Sequence, residues 1–164
     1  DKPFFGVVFF ALSAEAVRSR KSWGQVLKAV SMVLPLAVAT VLGGALVLGW
    51  LSLQSTPLPD WTAIWIFKNL FLTVIAEEAL FRGLIQRELK ERLPHKWSRL
   101  SLPLSALLFG LAHFSGGGRY IAAASLAGVF YGWAWERSGG RLEAAILCHF
   151  GLNLCHFFFL TYPQ

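Results

Sequence analysis

Residues 61–86 read WTAIWIFKNLFLTVIAEEALFRGLIQ. A helix that crosses the hydrocarbon core of a bilayer needs about 20 predominantly apolar residues, and this stretch is longer than that. Because a backbone in lipid has to satisfy its own hydrogen bonds, we predict that the stretch forms a transmembrane helix. It also contains ionisable residues, which are costly in lipid and therefore indicate a functional site.

The composition of the whole chain is that of a membrane protein. Of its 164 residues, 55% are hydrophobic and only 15% are charged, and the mean hydropathy is +0.55. Soluble domains average about 25% charged residues, so a soluble domain and a disordered chain are both excluded. At about 20 residues for each span, the chain has room for one domain with at most about six spans.

Other apolar segments complete the predicted bundle. They are residues 29–53, 100–114, 120–135 and 142–160, with residues 4–17 as a shorter, marginal segment. We therefore predict an all-α fold, a polytopic transmembrane helix bundle with about five to six spans. The chain begins at Asp1, and residues 1–3 lack the basic stretch of a secretory signal, so we expect it to be trimmed or processed.

Basic residues mark one side of this bundle. The net charge is +6, and most of the 15 Lys and Arg residues lie on alternate loops: Arg18, Arg20, Lys21 and Lys28, then Arg87, Lys90, Arg92, Lys96 and Arg99, then Arg137 and Arg141. By the positive-inside rule these loops face the cytoplasm, whereas the loop 54–60 and the C-terminus face away. The positive charge thus indicates topology, and we predict no nucleic-acid partner.

Glu77, Glu78 and Arg82 lie within the predicted span of residues 61–86. Glu78 and Arg82 are four residues apart, which is the spacing of an ion pair on one helix face. Adjacent residues project about 100° apart on a helix, so Glu77 is left as the unpaired carboxylate. Such a carboxylate can act as a general base. The alternative is that both glutamates reach the cytoplasmic interface and are merely solvated.

Histidine and asparagine side chains lie at a similar predicted depth on two later segments. His113 is at the end of the apolar segment 100–114, where a lone histidine is as easily a packing residue. His149 and Asn153 are four residues apart and share one face of the last segment. Counted from the nearest cytoplasmic loop, His149 is about 10 Å deep and His113 about 20 Å deep. The depth of Glu77 lies between these two values. Three segments thus bring four polar groups to one level of the bundle.

Together these residues carry a resemblance to a known family. E-E-x-x-x-R at Glu77, Glu78 and Arg82, F-x-x-x-H at Phe109 and His113, and H-x-x-x-N at His149 and Asn153 occur in this order. They resemble the motifs of the CPBP family of intramembrane endopeptidases, which includes type II CAAX prenyl proteases and the bacteriocin-processing or immunity proteins of the ABI group. The resemblance implies a single integral-membrane protease domain over residues 1–164. Residues 77–153 would form its motif-bearing catalytic core, and residues 1–28 a marginal or truncated N-terminal helix with a basic loop.

The resemblance also implies a role for each motif residue. Glu77 with His113 would activate the attacking water, and His149 and Asn153 would stabilise the tetrahedral oxyanion. Glu78 and Arg82, with Phe109, would support the site.

It implies no cofactor and a membrane-associated protein or peptide as substrate: a CAAX-type tail, a C-terminal anchor or a leader peptide. The enzyme would be a multi-pass protein of the bacterial inner (cytoplasmic) membrane, in contact with the lipid bilayer.

Two other interpretations fit the same residues. Glu77, His113 and His149 could form a His₂Glu zinc site with one open position, as in a metalloprotease, although no H-E-x-x-H is present. Alternatively, the protein could be a non-enzymatic membrane immunity factor or a proton-coupled carrier. A carrier would usually show internal repeats, and none is evident in this sequence.

Overall fold

The computed structural model describes residues 19–55 and 57–161. These residues are helical almost throughout, so the predicted all-α class is confirmed. The predicted marginal segment 4–17 lies outside the described residues.

The first helical run is built from α1 (Arg20–Ala37), a π-helical segment (Val38–Gly43) and α2 (Gly44–Val47). The Ser19 hydroxyl caps its N-terminus by accepting a hydrogen bond from the Ser22 amide at 3.1 Å. Residues at three- and four-residue intervals on α1 are buried, namely Val26, Ala29, Val33 and Ala37. This spacing places them on one face, which packs against the rest of the bundle.

The second helical run is continuous over residues 62–92. Its parts are α3 (Thr62–Lys68), a π-helical segment (Asn69–Val74), α4 (Ile75–Glu78), a second π-helical segment (Ala79–Gln86) and α5 (Arg87–Arg92). Segments of π-helix are rare in proteins, and those that do occur are often found at functional sites. Here two of them flank α4, which carries Glu77 and Glu78.

The rest of the described chain adds three longer helices and a closing strand pair. These are α6 (Ser101–Leu111), α7 (Gly117–Arg137) and α8 (Leu142–Phe159), with 3₁₀ helices at His95–Leu100 and Phe114–Gly116. Strand β1 (Ser52–Leu53) pairs antiparallel with β2 (Leu160–Thr161), with Ser52 opposite Thr161. Helix α7 packs against α1, α6 and α8, so it is the central helix of the bundle.

The bundle has a polar component inside and an apolar surface outside. Fully buried polar side chains are Glu78, Arg82, Gln86, Ser101 and Ser105. Exposed large apolar side chains include Val47, Ile64, Phe67, Phe71, Leu107 and Leu111. Exposed large apolar side chains are expected where lipid covers the protein, whereas soluble monomers rarely expose large contiguous apolar patches.

Two described helices are long and apolar enough to cross a membrane, Arg20–Val47 and Leu142–Phe159. A third crossing results if His95–Leu111 and Phe114–Arg137, which are bent by 59° to each other, form one broken span. The predicted number of five to six spans is therefore not confirmed.

Two features account for this difference. The run of residues 62–92 is long enough to cross, but the charges between Lys68 and Arg82 make it less apolar than a typical span. Helix α6 has 11 residues and rises about 16 Å, which is too short to cross a hydrocarbon core of about 30 Å by itself.

Candidate active site

The Glu78 carboxylate is the centre of a buried polar cluster. Its side chain is fully buried, and Oε1 accepts hydrogen bonds from Arg82 Nη1 at 3.0 Å and from His149 Nδ1 at 2.7 Å. The ion pair predicted from the four-residue spacing of Glu78 and Arg82 is confirmed. Since one carboxylate oxygen binds both partners, it joins the helical run of residues 62–92 to α8.

Arg82 is held on several sides. Its Nη2 donates to the Gly128 carbonyl oxygen at 2.7 Å, and its guanidinium carbon lies 4.8 Å from the Phe109 ring centroid and 5.3 Å from that of Tyr131. A Cβ atom on Gly128 would lie 3.2 Å from Nη2 and 3.1 Å from the Ala106 Cα. The close approach of α7 to Arg82 and to α6 therefore depends on glycine, which has no side chain, at position 128.

Gln86 extends this cluster by one more helical turn. Glu78, Arg82 and Gln86 are spaced at four-residue intervals and are all fully buried. The Gln86 Nε2 donates to the Gly132 carbonyl oxygen at 3.4 Å. None of the three sequence motifs includes Gln86, although its continuation of the four-residue spacing was a signal that could have identified it.

His149 is fixed by ring contacts as well as by Glu78. Its imidazole is stacked on the Tyr131 ring, with centroids 4.3 Å apart and an interplanar angle of 11°, and meets the edge of Phe109 at 5.7 Å. Because the Glu78 carboxylate only accepts, Nδ1 of His149 carries the hydrogen, and Nε2 is the ring nitrogen that Glu78 does not bind. No sequence motif indicated Tyr131, since its contact with α8 arises only from helix packing.

His113 lies just after the end of α6 and is oriented by a hydrogen bond back to that helix. Its Nδ1 lies 2.7 Å from the Phe109 carbonyl oxygen. A carbonyl can only accept, so Nδ1 is the donor and Nε2 of a neutral ring is an acceptor. The F-x-x-x-H motif thus supplies both the backbone acceptor and a ring, 4.7 Å from the imidazole centroid, that packs beside it.

Glu77, His113, His149 and Asn153 all line one cavity of about 740 Å³. Glu77 is half-buried and makes no hydrogen bond or ion pair with another described residue. The four polar residues predicted to lie at one level therefore border the same space. Its walls also include Asn69, which the sequence analysis missed because no motif contains it.

Asn153 has one direct polar contact among the described residues. Its Nδ2 donates to Asn69 Oδ1 at 3.3 Å, across a separation of 84 residues. The asparagine of the third motif thus contacts the helical run that carries the first motif.

The positions of Glu77, His113 and His149 bear on the zinc interpretation. Within residues 19–55 and 57–161, no group of three or more His, Cys, Asp or Glu side chains is placed so that it could hold a metal ion. Glu77, His113 and His149 border the cavity without converging as a ligand set. The residues present do not fit a His₂Glu zinc site.

The site and fold define a class of protein. A carboxylate, two imidazoles and an amide border one cavity of an apolar helix bundle, and such groups are able to serve in acid–base chemistry. A model of the type II CAAX prenyl endopeptidase Rce1-like family matches residues 59–155, more than half of the chain, and the chain belongs to this family.

Family membership confirms the resemblance predicted from the three motifs. The protein is an integral membrane hydrolase and, in general terms, a CAAX-type intramembrane protease that acts on membrane-associated peptides or proteins. No curated protein and no solved structure matches the chain.

Proposed function

We propose that the protein is a glutamic-type intramembrane endopeptidase in which Glu77, His113, His149 and Asn153 are the catalytic residues. The observation that carries the proposal is that these four side chains line one cavity in a chain of a protease family. The family favours a protease over a proton-coupled carrier, which would use the same buried groups for a different purpose.

Water activation is assigned to Glu77 with His113. The Glu77 carboxylate borders the cavity without a partner among the described residues, so it is available to accept a proton from water. His113 presents Nε2 as an acceptor, because the Phe109 carbonyl holds Nδ1–H. Two acceptors at one cavity can orient a water molecule and remove its proton when it attacks a peptide carbonyl.

Oxyanion stabilisation is assigned to His149 and Asn153. Nδ1–H of His149 is bound to Glu78, so donation to an oxyanion requires that Nε2 is also protonated. With a proton on Nε2, the ring would donate to Glu78 through Nδ1 and to the oxyanion through Nε2. Asn153 supplies an amide N–H as the second donor, and preorganised donors of this kind contribute strongly to acyl transfer.

The substrate is a membrane-associated protein or peptide. Apolar residues such as Leu42 and Leu152 line the cavity together with the polar ones, so an apolar segment beside the scissile bond is accommodated. CAAX-type tails, C-terminal anchors and leader peptides share this chemistry. We propose a bacterial inner membrane location, with the basic loops on the cytoplasmic side.

The test is peptide cleavage after reconstitution into lipid vesicles. Wild-type protein should release defined fragments from one of the three substrate types, as measured by mass spectrometry. Glu77→Gln keeps the shape of the side chain and removes its basicity, so it should abolish turnover without changing the melting temperature. Glu91→Gln, at an exposed position of α5, is the matched control and should cleave like the wild type. Near-normal turnover by Glu77→Gln would refute the assignment of the base.

A further inference from the structure

We propose that Asn69 is a positioning residue that orients the Asn153 amide as an oxyanion donor. The inference rests on the proposed function, and it adds a residue that no motif of the family resemblance includes.

The first observation is the contact between the two side chains. Asn153 Nδ2 donates to Asn69 Oδ1 at 3.3 Å, and both residues are half-buried at the wall of the same cavity. Asn69 lies at the start of the π-helical segment Asn69–Val74, and Asn153 lies in α8. The bond therefore joins two elements that both border the cavity.

The chemistry of a carboxamide explains why an acceptor at this position matters. Each amide nitrogen has two N–H groups, whereas its oxygen only accepts. When Asn69 Oδ1 accepts one N–H of Asn153, the nitrogen faces the cavity wall and the second N–H remains for a substrate. If the Asn153 amide group were rotated by about 180°, its oxygen would face the oxyanion, and the contact between the two oxygens would be repulsive.

The second observation is that Asn69 lies on the same helical run as the proposed base. Asn69, Thr73 and Glu77 are spaced at four-residue intervals, and all three line the cavity. Two turns of helix, about 12 Å, thus separate Glu77 from the residue that holds Asn153. Because one continuous run carries both, it sets the distance between the base and the oxyanion donor.

The experiment compares two substitutions of Asn69 in vesicle-reconstituted protein. Asn69→Leu has a similar volume and cannot accept a hydrogen bond, so kcat should fall about three- to tenfold, the usual effect of one hydrogen bond, with KM unchanged. Asn69→Asp keeps the acceptor and should restore kcat. Phe71→Leu is the matched control, since Phe71 is exposed on the same helical segment and is not among the residues that line the cavity.

A double substitution separates positioning from a general structural role. In an Asn153→Ala background no amide remains to be oriented, so Asn69→Leu should cause no further fall in kcat. An unchanged kcat in Asn69→Leu, or the same fall with and without Asn153, would overturn the inference while leaving the proposed function intact. A wild-type protein that cleaves none of the substrates would refute the proposed function and this inference with it.

Discussion

Nδ1 of His149 lies 2.7 Å from Oε1 of Glu78, and the same oxygen accepts a hydrogen bond from Arg82 at 3.0 Å. The two glutamates of the first motif therefore have different environments. Glu78 is fully buried and bound on two sides, whereas Glu77 borders the cavity. This difference supports the assignment of Glu78 to structure and of Glu77 to chemistry.

Substitution of Glu78 should reduce stability strongly. Glu78→Gln leaves the buried Arg82 guanidinium without a compensating charge, and breaking such a pair costs about 3–5 kcal/mol. The melting temperature of the detergent-solubilised protein should fall. Glu88→Gln is the matched control because Glu88, which is only partly buried, pairs at the same spacing with the exposed Arg92, and such surface pairs contribute about 0–1 kcal/mol. Equal shifts for both variants would show that burial of the Glu78 pair has no effect.

Removal of the proposed His149 donor should slow turnover. His149→Ala should lower kcat by about 10²- to 10³-fold, the usual cost of losing one oxyanion donor. His149→Gln places an amide N–H donor at the same position and should retain more of the wild-type kcat than His149→Ala. Cleavage rates of the vesicle-reconstituted variants measure this difference, and a wild-type kcat in His149→Ala would refute the assignment of the donor.

Close helix packing around Arg82 should be sensitive to a single methyl group. A Cβ at position 128 would meet the backbone of Ala106 at 3.1 Å, so Gly128→Ala should destabilise the protein by about 1–3 kcal/mol. Gly44→Ala is the control, because no atom lies within 4 Å of the added Cβ and alanine favours helix by up to about 1 kcal/mol. Thermal unfolding in detergent measures both, and a stabilised Gly128→Ala protein would contradict the close approach.

Activity should not depend on zinc. The purified protein should contain zinc well below one equivalent, and exhaustive chelation should leave peptide cleavage unchanged. Elemental analysis and an activity assay on the same sample measure the two quantities. Stoichiometric zinc whose removal abolishes cleavage and whose return restores it would overturn the glutamic mechanism, since a metal would then polarise the carbonyl itself.

The distribution of basic residues makes a separate prediction about topology. Arg92→Cys and Ser55→Cys should be labelled from opposite sides of the membrane, with residue 92 on the cytoplasmic side. A membrane-impermeant maleimide applied to intact cells and to inverted vesicles measures this, with the unsubstituted chain as control for Cys148 and Cys155. Labelling of both positions from one side would refute the assigned topology.

Sequence alone determined the class of protein and much of the local chemistry. Composition and apolar segment length predicted an all-α membrane protein, and the three motifs predicted the family. The ion pair of Glu78 with Arg82 followed from helix geometry, because residues four apart lie on one face whatever the rest of the fold does. The number of spans did not follow, since counting apolar segments ignores the charges in the run 62–92 and the 59° bend between α6 and α7.

Tertiary structure decided which partner each motif residue binds. The contacts of Glu78 with His149 and of Asn153 with Asn69 join residues 71 and 84 positions apart, and the stacking of Tyr131 on His149 requires α7 and α8 to be packed together. No periodicity encodes such contacts, because they depend on the rotation and depth of one helix relative to another. Spacing along a helix determines which residues share a face, whereas packing between helices determines what that face meets.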